Sequence, residues 1–328
     1  MSETHRKWKI LNGNISAHLL PELEPLKPYA DIDLLTDDAK LPEILGNYDL
    51  YITALRPPFR EEYLDRCGKL KAIATPTTGL DHLPAPAIRA RGITLIGLRE
   101  NPELLKRVTS TAEMAWCLLL SLLRHIPEAS QSALSGIWQR DRFIGTQLSG
   151  KTMGIIGYGR LGRMVGRYAA AFGMHVLAND TDQSIVPEPG VAMAPLELLL
   201  READAVSIHI HLDPVNVGFF DWKKFELMKR SAVLINTSRG AVICEDDFVR
   251  ALETGRIAGA AVDVIAGEGG DLSRNRLIQY AKGRRNLLIT PHCGGASYEA
   301  QCITFADIIR RVKDYIVETG DPDDPRRA

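Results

Sequence analysis

The sequence predicts an α/β protein with doubly wound parallel sheets. Short apolar or β-branched runs recur along the chain, and helix-length amphipathic segments separate many of them. A glycine-rich loop also joins one of these runs to the helix that follows it. Because strands that alternate with helices form parallel sheets through right-handed crossovers, these observations together predict this fold class.

The composition indicates a folded chain and limits its partners. At 328 residues, with 45% hydrophobic and 25% charged residues, the chain is long enough for two domains and can bury a large core. Its formal net charge of −1 supplies no broad positive field for a nucleic-acid backbone. The longest apolar stretch, 114–123, is far shorter than the roughly 20 residues that cross a bilayer. We therefore expect neither a nucleic-acid nor a membrane partner.

The amino terminus and the cysteines indicate the compartment. Residues 1–7 are polar and precede no apolar signal-peptide core, so we expect a cytoplasmic protein. The five cysteines are scattered and form no Cys-x-x-Cys pair. This spacing argues against a disulfide framework and against structural zinc.

The strands and helices can be placed in order along the chain. Nine apolar runs are interpreted as buried parallel strands: 50–54, 70–74, 93–96, 153–156, 176–178, 205–210, 232–235, 260–264 and 287–290. The predicted helical segments include 109–124, 161–171, 221–228, 245–254 and 298–319.

The order of these elements predicts two domains. An irregular polar stretch at 130–148 fits a domain junction, and the strand–helix units that follow it are enough for a whole nucleotide-binding fold. We place the nucleotide-binding domain at 107–295 and a substrate domain at 1–106 and 296–328. The helical tail is expected to pack back on the amino-terminal part.

The glycine-rich loop carries the first functional prediction. Its Gly-x-Gly-x-x-Gly pattern follows the run 153–156 and opens a helix, and it consists of Gly157, Tyr158, Gly159, Arg160, Leu161 and Gly162. The first glycine allows a tight turn, the second lets the backbone approach a pyrophosphate, and the third lets the helix pack on the strand. Free N–H groups at the helix amino terminus favour a phosphate. A purely structural glycine turn is the alternative interpretation.

Asp180 indicates which dinucleotide binds. It lies 23 residues after Gly157, directly after the run that should form the second strand of the unit. Its carboxylate can accept hydrogen bonds from ribose hydroxyls and would repel a 2′-phosphate, so NAD is favoured over NADP. A helix-capping aspartate is the alternative.

Three polar residues follow later strands of the same domain and are candidates to share one crevice: Arg239, Glu268 and His292. An imidazole can give or take the proton that accompanies hydride transfer to a carbonyl carbon. A carboxylate beside it would orient the ring and stabilise the imidazolium. A guanidinium can clamp a substrate carboxylate with two parallel hydrogen bonds. Taken singly, they could instead be a surface ion-pair residue, a solvated loop acid and a capped turn.

Four motifs in order carry a resemblance to a known family. They are GYGRLG at 157–162, NTSRG at 236–240, GAAVDV at 259–264 and PHCGG at 291–295. With these motifs the chain resembles the D-isomer-specific 2-hydroxyacid dehydrogenases along nearly its whole length. Earlier segments at 77–81, 110–113 and 136–138 also fit.

The resemblance implies a Rossmann NAD-binding domain inserted in a flavodoxin-like substrate domain, with a cleft that closes on binding. It implies that Arg239, Glu268 and His292 carry the chemistry and that backbone N–H groups at Thr78 and Gly79 help to hold the substrate carboxylate. It also implies a homodimer built around 109–148, in which Trp138 is an interface residue. The cofactor contacts that it implies, beyond the glycine loop and Asp180, are His209, Thr237, Asp263 and His292.

Several residues depart from the family pattern or suggest other chemistry. His211, Asp213 and Asn216 replace the usual proline and threonines beside the cofactor, and two glycines follow Glu268 where a proline is usual. His209 and His211 alternate along a strand, but no carboxylate cluster accompanies them, so no metal is expected. Cys293 beside His292 suggests a thiol nucleophile, which we rank below hydride transfer because neighbouring side chains on a strand point in opposite directions.

The resulting hypothesis is an NAD-dependent oxidoreductase that interconverts a small D-2-hydroxy acid and its 2-oxo acid, with His292 as general acid and base. Two alternatives stay open. One is oxidation of another small anion such as phosphite or formate, and Glu268 counts against formate. The other is an NAD(H)-sensing, corepressor-like protein that binds the dinucleotide without turnover.

Overall fold

The computed structural model describes residues 6–53, 55, 59–98, 101–320 and 322–323. The chain divides into two compact units, one comprising Met1–Val108 with Tyr298–Ala328 and the other Thr109–Ser297. The larger unit begins and ends two residues later than the predicted nucleotide-binding domain. Among the helices in the described ranges, none is both long enough and apolar enough to cross a membrane.

The smaller unit is built on a five-stranded parallel sheet in the order β2-β1-β3-β4-β5. Its strands are β1 (Trp8–Asn12), β2 (Ala30–Leu34), β3 (Leu50–Ile52), β4 (Ala72–Ala74) and β5 (Thr94–Ile96). Its helices are α1 (Leu41–Ile44), α2 (Ala85–Ala90), α3 (Pro102–Lys106) and the long carboxyl-terminal helix, called α11 below (Tyr298–Thr319). This strand order is that of flavodoxin-like folds.

Two apolar clusters cover the two faces of this sheet. In one of them, Phe305, Ile309 and Val312 of α11 pack with Trp8 and Ile10 of β1. These three helical residues recur at three- and four-residue spacing, so they share one face of α11. The carboxyl-terminal helix is therefore part of the core of the smaller unit.

The larger unit contains a seven-stranded sheet in the order β12-β11-β10-β9-β6-β7-β8, and every pairing is parallel. Its strands are β6 (Thr152–Ile156), β7 (His175–Asn179), β8 (Val191–Met193), β9 (Ala205–Ile208), β10 (Val233–Asn236), β11 (Gly259–Val262) and β12 (Leu287–Ile289). Its helices are α4 (Ser110–Leu123), α5 (Ile126–Leu134), α6 (Arg160–Ala171), α7 (Leu196–Glu202), α8 (Trp222–Leu227), α9 (Glu245–Glu253) and α10 (Arg276–Ala281).

Helices cover both faces of the larger sheet, which explains its apolar strands. Side chains of α4 and α6 pack on one face, and side chains of α7, α8, α9 and α10 pack on the other. Every residue of β9, β10 and β11 is buried, as expected for parallel strands that lie between two helical layers. The predicted fold class, a Rossmann domain inserted in a flavodoxin-like domain, is confirmed.

The structure differs from the sequence predictions at identifiable elements. All nine predicted strands are present with small changes at their ends, but β1, β2 and β8 were not predicted. In β2 and β8 most residues are at least partly exposed; β2 alternates apolar residues with aspartate, and β8 is only three residues long. The predicted irregular stretch 130–148 was wrong for its first residues, because α5 continues to Leu134.

Candidate active site

The glycine loop lies where the strand order of the larger sheet reverses, between β6 and β9. Gly157 has a φ of 89°, which favours glycine, and a Cβ atom on Gly162 would lie 2.1 Å from the Gly157 carbonyl oxygen. A Cβ on Gly159 would meet nothing within 4 Å. The loop is therefore tight on its protein side and open at Gly159, as a backbone that approaches a pyrophosphate should be.

Asp180 is fixed directly beside this loop. The Tyr158 N–H donates to its Oδ2 atom at 2.7 Å, and the Asp182 N–H donates to Oδ1 at 3.0 Å. Helix α6 begins at Arg160, followed by Leu161, and burial lowers the pKa of the Arg160 guanidinium. The carboxylate thus lies at the end of β7, at the position expected for a ribose contact.

Two buried polar atoms lie at the ends of β9 and β10. His209 directly follows Ile208 and Thr237 directly follows Asn236, and Ile208 and Asn236 are paired in the sheet. The Nε2 atom of His209 lies 2.8 Å from the Ser207 hydroxyl, but Nδ1 of His209 and Oγ1 of Thr237 find no hydrogen-bond partner among the described residues. Burial lowers the pKa of His209 to about 4, so its ring is neutral at neutral pH. Unsatisfied buried polar atoms beside an open glycine loop fit a polar ligand such as a dinucleotide.

Arg239 belongs to a turn that Asn236 organises. The Asn236 Oδ1 atom accepts hydrogen bonds from the Ser238 N–H at 2.9 Å and the Ser238 hydroxyl at 2.7 Å, while Asn236 Nδ2 donates to the Arg239 carbonyl at 3.0 Å. The Arg239 side chain is half-buried, and its Nη1 atom donates to the Ser238 carbonyl at 2.8 Å. This places a guanidinium just beyond the carboxyl end of β10.

The side chains of His292 and Glu268 lie within hydrogen-bond distance of each other. The His292 Nδ1 atom lies 3.0 Å from Glu268 Oε1, and the two side chains are 27% and 28% exposed. They follow β12 and β11 and are 24 residues apart in sequence. Since Nδ1 faces the carboxylate, Nε2 is the ring nitrogen that can exchange a proton with a substrate.

Asp263 anchors the turn that carries His292. Its carboxylate is 1% exposed and accepts hydrogen bonds from the Thr290 hydroxyl, the Cys293 N–H at 2.8 Å and the Gly294 N–H at 2.6 Å. The His292 N–H donates to the Asp263 carbonyl at 2.8 Å. His292 has a φ of 55°, in the left-handed region that few residues other than glycine adopt.

The three candidates for the chemistry thus come from three successive strands of one sheet. Arg239 follows β10, Glu268 follows β11 and His292 follows β12. The structure brings His292 and Glu268 into contact and places Arg239 at the end of the adjoining strand. No group of three or more His, Cys, Asp and Glu side chains within the described ranges could hold a metal ion.

Thr78 and Gly79 lie in the smaller unit, in the loop that follows β4. There the Thr77 hydroxyl donates to the Gly79 carbonyl at 2.8 Å and also lies 2.8 Å from the Thr75 hydroxyl. Both residues are partly exposed. The loop therefore has a defined shape at the carboxyl end of its strand.

Sequence reasoning did not identify the residues that shape these turns. These residues form hydrogen bonds that hold a turn in place and carry no reactive group; they are Asn236, Thr290 and Tyr158, the last through its N–H. A buried Asn or Asp at the end of an apolar strand, as at Asn236 and Asp263, is a sequence signal for an anchor of this kind.

Comparison with known proteins agrees with this geometry. A family model described as the NAD-binding domain of D-isomer specific 2-hydroxyacid dehydrogenases matches residues 116–294. The glyoxylate reductase of Thermococcus litoralis is 32% identical over 298 residues, which cover 86% of this chain and 87% of that protein. The chain belongs to this dehydrogenase family.

Other members of the family resemble the chain over different extents. The D-3-phosphoglycerate dehydrogenase of a Synechocystis species is 32% identical over 299 residues, and the match covers 90% of this chain but 52% of that protein. The chain therefore spans about half the length of that relative. The Aquifex aeolicus D-lactate dehydrogenase, crystallised with NAD and lactic acid, superposes with a TM-score of 0.81 at 25% identity and covers 94% of this chain and 96% of its own.

Membership of this family also identifies the cofactor. The matching family model is that of an NAD-binding domain, and the glycine loop that fits a dinucleotide lies within it. NAD is therefore the cofactor.

Proposed function

We propose that this dehydrogenase interconverts a small D-2-hydroxy acid and the corresponding 2-oxo acid, with His292 as general acid and base. The observation that carries the proposal is the 3.0 Å contact between His292 Nδ1 and Glu268 Oε1, at the same end of the seven-stranded sheet as the glycine loop. This pair leaves Nε2 to exchange a proton and keeps a negative charge next to the imidazolium that forms.

The residues divide the reaction between them. When NADH is bound, it supplies the hydride that reaches the carbonyl carbon of the 2-oxo acid. His292 gives a proton from Nε2 to the carbonyl oxygen, and the product is the hydroxy acid; the reverse reaction returns the proton to Nε2. Glu268 holds the ring and stabilises its charged form. We assign Arg239 to the substrate carboxylate, and we assign the N–H groups of Thr78 and Gly79 to substrate binding.

Cofactor choice follows from the carboxylate at the end of β7. Asp180 is held by the Tyr158 and Asp182 N–H groups. A fixed negative charge there accepts hydrogen bonds from the ribose hydroxyls of NAD and repels the 2′-phosphate of NADP. We therefore propose a preference for NAD over NADP.

Exposed apolar side chains after α4 support a proposed homodimer. Leu134, Trp138 and Ile144 are 87%, 89% and 78% exposed. This is an unusually large solvent-exposed apolar surface for one short segment. A second copy of the chain would cover these side chains in a symmetric interface. Sedimentation of the full chain and of Trp138→Ala tests this. A monomeric wild-type chain at micromolar concentration would contradict it.

The function is tested with a panel of 2-oxo acids and NADH, followed by the loss of NADH absorbance. The panel contains glyoxylate, pyruvate, hydroxypyruvate, phosphohydroxypyruvate and bulkier sugar-derived acids. We expect turnover with at least one of them and formation of the D-hydroxy acid. Binding of NADH without turnover of any member would favour a sensing role, and NAD reduction by phosphite alone would favour the small-anion alternative.

A further inference from the structure

Asp263 makes more hydrogen bonds to the turn that carries His292 than a contact with the cofactor would need. It is 1% exposed, and its two carboxylate oxygens together accept three hydrogen bonds, all from residues 290–294. Two of the donors are backbone N–H groups, at Cys293 and Gly294, which belong to the two peptide bonds that follow His292. The chain between β12 and α11 is thus folded around this carboxylate.

The backbone of His292 needs such support. Its φ of 55° lies in the left-handed region, where a side chain with a Cβ atom costs conformational free energy. Its own N–H donates to the Asp263 carbonyl at 2.8 Å and to the Thr290 carbonyl at 3.0 Å. Asp263 therefore binds the strained residue through its main chain and binds the next two residues through its side chain.

We propose that Asp263 is a positioning residue, which holds the His292 turn in the left-handed conformation that lets the imidazole meet Glu268. The proposal rests on the proposed role of His292 in proton transfer. Asp263 acts through the turn and not by contact with the reacting atoms, so its loss should reduce the rate of the proton-transfer step far more than it weakens binding.

The chemistry of an Asp263→Asn substitution makes the proposal testable. Asparagine has nearly the same volume, but one of its two terminal groups is an NH₂ donor. With its oxygen toward Gly294, the NH₂ group faces the Cys293 N–H; with its oxygen toward Cys293, it faces the Gly294 N–H. Either orientation sets two donors against each other in a buried place, so the turn must shift.

Gly294→Ala tests the same contact from the opposite side. A Cβ on Gly294 would lie 3.0 Å from Asp263 Oδ2 and 3.3 Å from the Thr111 side chain. The methyl group therefore pushes against the carboxylate without removing any hydrogen-bonding group. Asp204→Asn serves as the matched control, since Asp204 accepts a backbone N–H bond from Thr152 at the opposite edge of the same sheet.

The experiment measures kcat, KM for the preferred 2-oxo acid, the dissociation constant of NADH by fluorescence, and amide hydrogen exchange in the peptide that contains 290–296. For Asp263→Asn we expect kcat to fall about 10- to 100-fold, since a misplaced buried donor costs about that factor, with KM and the NADH dissociation constant changed less than about threefold. Exchange at 292–295 should accelerate. Gly294→Ala should show the same pattern more weakly, and Asp204→Asn should keep kcat.

Other outcomes overturn the proposal. A folded Asp263→Asn protein with normal kcat would exclude a positioning role. A loss of NADH affinity as large as the loss of kcat would make Asp263 a cofactor ligand instead. If Asp263→Asn lowers kcat but His292→Asn does not, the proposed proton-transfer role of His292 fails, and the positioning role fails with it. If His292→Asn alone abolishes turnover, the proposed function stands while the inference about Asp263 fails.

Discussion

The carboxyl ends and the amino ends of the strands in the seven-stranded sheet carry different kinds of polar group; we call these two sides of the sheet its carboxyl edge and its amino edge. At the carboxyl edge, Nδ1 of His209 and Oγ1 of Thr237 are buried without a hydrogen-bond partner among the described residues, and His292 pairs with Glu268 at 3.0 Å. At the amino edge, the Asp204 carboxylate accepts bonds from the Thr152 N–H at 2.9 Å and Lys229 Nζ at 3.1 Å. The polar groups at the carboxyl edge can still form hydrogen bonds with a ligand, whereas the Asp204 carboxylate already bonds to Thr152 and Lys229.

A cavity lies at the amino edge, away from the residues with the predicted chemistry. Its volume is about 270 Å³, and its lining includes Leu122, Leu148, Met174 and Val233. The catalytic candidates lie at the carboxyl edge instead, where the loops after parallel strands converge on the reversal of strand order. Substitutions at the two edges should therefore change different properties.

The largest expected effect is that of His292→Asn at the carboxyl edge. Asparagine cannot exchange a proton near neutral pH, so kcat should fall about 100- to 10,000-fold, the usual contribution of general acid–base catalysis. The dissociation constant of NADH, measured by fluorescence, should change little. A variant that binds NADH and turns over as fast as the wild type would remove the proton-transfer assignment.

Glu268→Gln should have the next largest effect. Glutamine keeps an oxygen that can accept from His292 Nδ1 at a similar distance but removes the negative charge. A charge-assisted hydrogen bond is stronger than a neutral one by about 1–2 kcal/mol, so kcat should fall about 5- to 30-fold. Steady-state kinetics on the preferred acid measures this. Glu268→Ala, which also releases the ring, should lose more, and equal losses would show that only the charge matters.

Asp180→Ser tests whether the carboxyl edge also selects the cofactor. Serine removes the charge beside the Tyr158 N–H but leaves the glycine loop intact. The ratio of kcat/KM for NADPH to that for NADH should rise about tenfold, which corresponds to ~1.4 kcal/mol of relieved repulsion. Dissociation constants of the two reduced cofactors give an independent measurement. An unchanged ratio would mean that other groups exclude the 2′-phosphate.

The sequence placed the candidate reactive groups at the carboxyl edge but did not reveal the residues that support them. Arg239, Glu268 and His292 could be found because each follows an apolar run, and strands that end at one edge bring such residues together. The left-handed backbone of His292 and the bonds to Asp263 could not be found, because they depend on the path of the chain between β12 and α11. The strands β2 and β8 were missed for other reasons, since β2 alternates apolar residues with aspartate and β8 has only three residues.

The smallest expected effect is that of Asp204→Asn at the amino edge, and it concerns stability. Burial by itself raises the pKa of Asp204, but the bonds from Thr152 and Lys229 together outweigh it and hold the pKa below its ordinary value of 3.8. A carboxylate with a lowered pKa in the folded state stabilises the protein above about pH 4, and this contribution is lost as the pH falls through the folded-state value. Asp204→Asn should therefore lower the free energy of unfolding by about 1 kcal/mol at pH 7, since the pair is partly exposed. Urea unfolding at pH 7 and at pH 3 measures the difference, which should shrink in acid while kcat at pH 7 stays unchanged. A loss of kcat at unchanged stability would contradict the division of roles between the two edges.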